Sequence, residues 1–560
     1  MKKIIIIGLI AILTYYNLSS NDFDLVKQFK LTSINKDNRT TIDSKNNLII
    51  TGTFSTTVNF DQSNSEKTKL QSNGKDDIFL AKLDRNGNHI WSFSIGGNGY
   101  EEVKNISTDK EGNIYIAGTF QETIDFDPSD GVANITAESG WDVFILKFNS
   151  SGDFLWVKNL GPYKYLKANS MALDKNNNIF MTGYFSETID FNPGNETYNI
   201  TASISDDVYI LKLNSNGQFV WAKSFNGTSI ERGVSCVVDS EENICITGYF
   251  EATMYIDSKK EKILQSKGFT DVFIIKLDND GNNLWAKSFE GLWSSESTAI
   301  AVDNENNIFT TGTFKKTVDF DPSENIDTLT SIEKNSDVFI SKLDKNGNHR
   351  WAKLIGGSQD VLSHNIATNS RGDVVITGYY YGDCDFDPNE GVVTATIQSR
   401  NAMFQTSLDK DGFFISANVV YGDITPKSLD LLENGNVIIS TTITDNVEYV
   451  QNGNMKVTQN KGDSDILVFR LDNILSTIET DERNGNIKVY PNPSNGVLNL
   501  NLDSYINTKI EIYSESGKLI KRIENLNHEN IILDLNEYKG VCILKITDLK
   551  GVQFFKILNQ

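Results

Sequence analysis

Histidine, cysteine, methionine and proline are all scarce here: four, four, six and eight residues in a chain of 560. The four histidines, His89, His349, His364 and His528, are scattered. His89 and His349 fall in the same turn of different repeat copies, so neither a shared metal nor a catalytic dyad is expected of them. Cys236, Cys245, Cys384 and Cys542 form no C-x-x-C pair and no disulfide framework. Cys236 and Cys245 can face each other across one hairpin, although two small core residues account for them more simply. No G-x-S-x-G elbow, H-E-x-x-H helix or phosphate-binding loop occurs, which removes the familiar nucleophile and metallohydrolase signatures.

Positive charge is in short supply too. The formal charge is −22, and the region between the first twenty residues and residue 487 holds 41 Lys/Arg against 66 Asp/Glu. A chain so acidic lacks the basic stripes that nucleic acid requires; the excess suits solubility, cations or basic partners, and plain surface solvation explains most of it. Long apolar runs are missing beyond residues 4–13. That run follows Met1-Lys2-Lys3 and is too brief to span a bilayer, so 1–20 reads as a secretory signal peptide cleaved near Ser19 or Ser20. No cysteine sits there to carry a lipid, and no other segment is expected to cross a membrane.

What the chain has in quantity is aromatic residues, 31 Phe, 20 Tyr and 7 Trp, together with 40 Gly. Such a composition favours strands joined by tight turns and an all-β fold. Self-comparison shows a unit of about 65 residues, long enough for one four-stranded blade. Its first landmark, D-V-F-x-x-K-L-D-x-N-G-x-x-x-W, begins at Asp77, Asp142, Asp207, Asp271 and Asp337. The corresponding tryptophans are Trp91, Trp156, Trp221, Trp285 and Trp351. Its second, A-x-D-x-x-N-N-I-x-x-T-G-x-F-x-x-T-x-D-F, is marked by Gly52, Gly118, Gly183, Gly248, Gly312 and Gly378. Degenerate copies continue to residue 471.

One unit parses into alternating strands at 170–173, 179–185, 208–213 and 219–225. Asn-Gly and Asp-Gly pairs such as Asn86-Gly87 and Asp280-Gly281 supply the positive-φ positions of the hairpins. A glycine inside a strand, as at Gly183, is costly and points to an aromatic lying over bare backbone; the repeated Trp is the expected partner.

The two ends of the array complete each other. Residues 23–29 match the fourth-strand segment 154–158, and the last unit stops at Leu471-Asp472 after its third strand. The expectation is an all-β, seven-bladed β-propeller over 21–473 whose N-terminal strand closes the last blade and hides an edge that would otherwise invite aggregation. These units resemble the SBBP family of bacterial β-propeller repeats, which implies a fold and a secreted habit but no particular activity.

A polar linker, 474–486, follows, and the pattern then changes. Residues 487–560 contain Val489-Tyr490-Pro491-Asn492-Pro493, a hairpin around Gly517-Lys518 and Gly540-Val541-Cys542-Ile543-Leu544-Lys545-Ile546. The segment reads as a small antiparallel β-sandwich and resembles the type A sorting domain of type IX secretion substrates, with Cys542 where that family usually has Tyr. The resemblance implies engagement with the type IX machinery and a destination outside the cell or on its surface.

For the molecular role, two classes compete. Most carboxylates recur in register, as a structural role demands, whereas chemistry needs an asymmetric cluster at one spot. A non-catalytic scaffold for adhesion, polymer or protein binding is therefore favoured over a secreted polysaccharide hydrolase or lyase. Binding is expected where units differ, in the connections leading to each first strand: Tyr100, Glu101, Tyr163, Tyr165, Arg232, Trp293 and Asp360. Asp278, Asp280 and Asn282 resemble the start of a calcium loop without the closing Glu, and turn chemistry alone explains them.

Overall fold

The computed structural model describes residues 23–471 except for the short segments 32–37, 62–67, 139, 163–164, 258, 333–334, 390, 398–399, 433–435, 452–453 and 461–463. Beyond them it describes 488–490, 497–501, 508–514, 519–526, 530–535, 538, 540–548 and 551–559. The expected signal peptide and linker lie outside the described residues. The chain divides into two compact units, one running through Ile474 without 387–392, the other holding 387–392 and Leu475–Gln560. No α-helix occurs among the described residues.

Among the described residues of the first unit, seven antiparallel sheets carry four or six strands each, and three further sheets are two-stranded hairpins. Leu166–Leu173, Ile179–Phe185, Asp207–Leu213 and Phe219–Gly227 lie side by side in chain order, matching the four strands expected of that repeat. Third strands such as Asp77–Leu83 and Asp207–Leu213 are buried at every position. A strand covered on both faces has no polar side to present, which is why the motif reads as a continuous apolar run broken only by its Lys.

The T-x-D-F segment forms a short hairpin that the periodicity does not announce. Thr253–Tyr255 and Ile263–Gln265 pair with each other, and Tyr255 and Met254 pair with Asn226 and Gly227 of the preceding repeat, extending its sheet.

Mid-strand glycines are required, but by a different ring from the one expected. A Cβ on Gly312 would lie 2.1 Å from the Glu296 carbonyl and 2.6 Å from the Phe339 ring; Gly248 meets Phe273 and Gly378 meets Phe404 in the same way. The tryptophan lies instead over the turn glycine of the next repeat, Trp156 on Gly217, Trp221 on Gly281, Trp285 on Gly347 and Trp351 on Gly412. The indole reaches forward because that turn glycine, at φ +71 to +83, leaves a flat surface.

The motif lysine works at the same junction. Lys276 Nζ donates to the Lys345 carbonyl at 3.2 Å, and Trp285 Nε1 donates to the same oxygen at 3.1 Å. Lys342 and Trp351 share the Lys410 carbonyl in the same manner. Lys276 also pairs at 2.8 Å with Asp239 of its own repeat, so this buried cation is neutralised and hydrogen-bonded.

Phe23–Leu31 pairs antiparallel with Ser464–Leu471, Phe29 opposite Ile466, and takes the fourth place in the sheet with Val437–Ile443 and Ile424–Leu431. Phe29 packs 5.1 Å from Phe60, which lies 4.9 Å from Phe79. Arg470 stands where other repeats have the motif lysine, and its Nη1 donates to the Arg85 carbonyl at 2.6 Å.

The second unit has a sheet of Lys488–Tyr490, Val497–Asn501 and Asn530–Asp534 and a sheet of Leu519–Leu526, Thr508–Ser514, Gly540–Asp548 and Gly551–Asn559. Leu498, Leu500, Ile510, Ile512, Leu533 and Leu544 form one core between them, and Cys542 fits inside it as a small apolar residue. All four cysteines are free and buried. Cys236 stands opposite Ile246, and Cys245 opposite Val237, so the two sulfurs point to opposite faces of their hairpin.

Candidate functional site

Connections leading to the first strands divide the expected binding residues into three groups. Tyr100 and Trp293 face solvent. The Lys75 ammonium sits 4.4 Å from the Tyr100 ring centroid. Trp293 is 48% exposed and tilts against Phe269, itself 66% exposed, with ring centroids 5.9 Å apart. Two large apolar rings left in water side by side form the most ligand-ready surface in these connections. Phe269 escaped the sequence reading because it lies 24 positions from Trp293, on the approach to a third strand.

Arg232 and Asp360 are committed to holding the connections in place. Arg232 pairs with Asp206 through Nη2 at 2.6 Å and Nε at 2.8 Å, and its guanidinium lies 4.7 Å from the Tyr184 ring centroid. Asp360 Oδ1 accepts the Ser336 amide at 2.8 Å. Tyr165 is half-buried and packs on the apolar core of its repeat. Tyr163 lies outside the described residues.

Glu101 is interior, only 1% exposed. Burial, then the charges of Asp77 and Asp76, push its carboxyl from the ordinary 4.5 up to about 8. Glu231 repeats the arrangement beside Asp207, also at about 8 and for the same first cause, burial. Such pairs have the pKa of a general acid, but neither Glu reaches a surface where substrate could sit.

The calcium-like loop is satisfied without a cation. Asp278 Oδ1 accepts the Asp280 and Asn282 amides at 3.0 and 2.7 Å, and Oδ2 accepts Asn282 Nδ2 at 2.9 Å. Burial raises its pKa, but these hydrogen bonds outweigh burial and hold the carboxyl below its ordinary value. Among the described residues, no group of three or more His, Cys, Asp or Glu is placed to hold a metal ion. His89 Nε2 meets Ser92 Oγ at 2.9 Å and His349 Nε2 meets Asp327 Oδ2 at 2.7 Å, each within its own repeat. His528 lies outside the described residues. His364 lines a cavity between the first strands, to which no sequence signal pointed.

Over 456 residues the chain is 25% identical to an uncharacterized WD repeat-containing protein of Acanthamoeba polyphaga mimivirus; the match takes in 68% of this chain and 33% of that protein. Among solved structures, a protein of unknown function from Bacteroides caccae is 10% identical at a TM-score of 0.30, covering 60% of this chain and 89% of that one. A mutant of NanB sialidase from Streptococcus pneumoniae is 9% identical at a TM-score of 0.34, covering 81% and 71%. Likenesses at that level assign no activity here, so the role of the first unit rests on its own residues. Residues 488–560 match the secretion system C-terminal sorting domain, and the chain therefore carries the tail that directs a protein through the type IX route to the outside of the cell or its surface.

Proposed function

We propose that the chain is an exported, non-catalytic binding scaffold: a seven-bladed β-propeller over 21–473, of the SBBP type, sent out by residues 487–560. Closure of the ring by the leading strand is supported by repetition of the inter-repeat contacts at the seam. Arg470 grips the Arg85 carbonyl as Lys342 grips that of Lys410, and the Lys27 side chain covers Gly87 as Lys158 covers Gly217.

The observation that carries the binding role is the exposed Phe269–Trp293 pair, a stacking surface suited to an extracellular polymer or protein. The recurring carboxylates favour the same reading, because Asp43, Asp109, Asp174, Asp239 and Asp303 each accept hydrogen bonds within a turn instead of facing a cleft. Full-length protein passed over immobilised polysaccharides and surface proteins should be retained by at least one. Trp293→Ala should weaken that retention by roughly 2 kcal/mol, about thirtyfold. Unchanged retention in the variant would remove the proposed surface; release of sugar from any polysaccharide would favour the hydrolase or lyase alternative.

A further inference from the structure

A cavity of about 500 Å³ is lined by the first strands of the seven four- or six-stranded sheets of the first unit. Six of these strands slip register once, between 103 and 105, 168 and 170, 233 and 235, 297 and 299, 363 and 365, and 426 and 428. The residues passed over are Lys104, Asn169, Val234, Thr298, His364 and Lys427, and every one of them lines the cavity, joined by Arg39 from the seventh strand. A bulge re-aims one side chain out of the ladder, so this fold presents one selectable residue per repeat to a common space.

Around that space the flanking residues repeat and the bulge residues do not. Asn105, Ser170, Ser235, Asn365 and Ser428 follow five of the six bulges as small polar groups, and Ala299 follows the sixth. Cations, by contrast, gather on one arc. Arg39, Lys104 and Lys427, with His364, belong to four neighbouring first strands, linked by Arg39 Nε to the Lys104 carbonyl at 3.0 Å, the Thr40 amide to Ser428 Oγ at 2.7 Å and Asn365 Nδ2 to the Lys427 carbonyl at 3.4 Å. Asn169, Val234 and Thr298 make the other arc neutral. Two carboxylates accompany the cations: Glu102 pairs with Lys104 at 2.8 Å, and Asp430 lines the wall, where burial pushes its carboxyl up to about 7.

Arg39, Lys104 and Lys427 thus place three cationic side chains on one arc of a cavity in a region whose formal charge is −25. The Arg39 guanidinium is held in place by donating Nε to the Lys104 carbonyl and Nη1 to the Asn38 carbonyl at 2.9 Å, and an oxyanion is the group that matches such an arc in charge. The volume is that of a site for a small molecule. We propose that this cavity binds a small ligand through a phosphate or carboxylate group held by Arg39, Lys104, His364 and Lys427, with its uncharged remainder against Asn169, Val234 and Thr298. This goes beyond the reading of the exposed aromatic pair and stands without it.

The test is thermal unfolding and calorimetric titration of full-length protein with inorganic phosphate and with glucuronate at constant ionic strength, sodium chloride being the reference. At least one of the two should raise the melting temperature above the chloride value; phosphate alone identifies a phosphate-bearing ligand, glucuronate alone an acidic sugar. K104Q/K427Q should weaken the response about tenfold or more, while K345Q, on an exposed turn paired with Glu241, leaves it unchanged. Should the double variant fail to fold, R39K keeps the charge, replaces the guanidinium with an ammonium and should still weaken binding. No response beyond chloride in the unsubstituted protein, or a full response in the folded charge variants, overturns the proposal. Trp293→Ala should keep the anion response, so loss of polymer retention and loss of anion binding separate the two readings.

Discussion

Replacing Glu101 with Gln removes an ionisable group from the interior while keeping its shape. In the folded chain, burial and the neighbouring Asp77 and Asp76 raise the carboxyl from 4.5 to about 8, a preference for the protonated form of roughly 5 kcal/mol. The unfolded chain releases that proton above 4.5, so the group contributes its full stability below the unfolded value. The contribution is lost progressively as pH rises through the folded value. Wild-type stability should therefore fall between about pH 5 and pH 9, and E101Q should fall less, matching wild type at the acid end and exceeding it at the alkaline end by up to roughly 5 kcal/mol. Scanning calorimetry of full-length protein across that range reads the difference directly. E231Q should behave alike, and because Glu231 opens a different sheet the two effects should add. Parallel pH profiles for wild type and E101Q would refute the reasoning, since they require Glu101 to ionise in the fold as it does in water.

Phe29→Ala should destabilise the first unit by about 4 kcal/mol, seen in chemical denaturation, because Phe29 is buried against Phe60 at the pairing with Ser464–Leu471. Gly312→Ala should cost roughly 3 kcal/mol or more, since the added methyl would press on the Glu296 carbonyl and the Phe339 ring, and a loss below about 1 kcal/mol would show that the strand has room. Neither calcium nor a chelator should shift the melting temperature, because the Asp278 carboxylate is already occupied by its own turn; a rise with calcium would reopen the cation reading.

Four strands per repeat were legible because alternation and turn chemistry are local. Residues 23–29 read as a fourth strand for the same reason, and Phe23–Leu31 pairs antiparallel with Ser464–Leu471. Relations between repeats were not legible. The repeated tryptophan is the sequence's natural candidate to cover the mid-strand glycine, yet it lies on the next repeat's turn, a contact that exists only once sheets are stacked. Glu101 reads as an exposed loop acid beside Tyr100, and only the adjacent Asp77 strand makes it interior. The bulge cations left no trace, because Arg39, Lys104, His364 and Lys427 stand more than 60 positions apart and share no motif.

Pairing Phe23–Leu31 with the last strand of the repeat region opposes the order of synthesis to the order of assembly. Phe29 emerges from the ribosome more than 400 residues before Ile466, its partner, so a growing chain holds an unsatisfied strand until nearly all of the repeat region has been made. A chain clipped before residue 464 never acquires that partner, and an intact leading strand thus becomes a physical mark by which finished molecules differ from fragments.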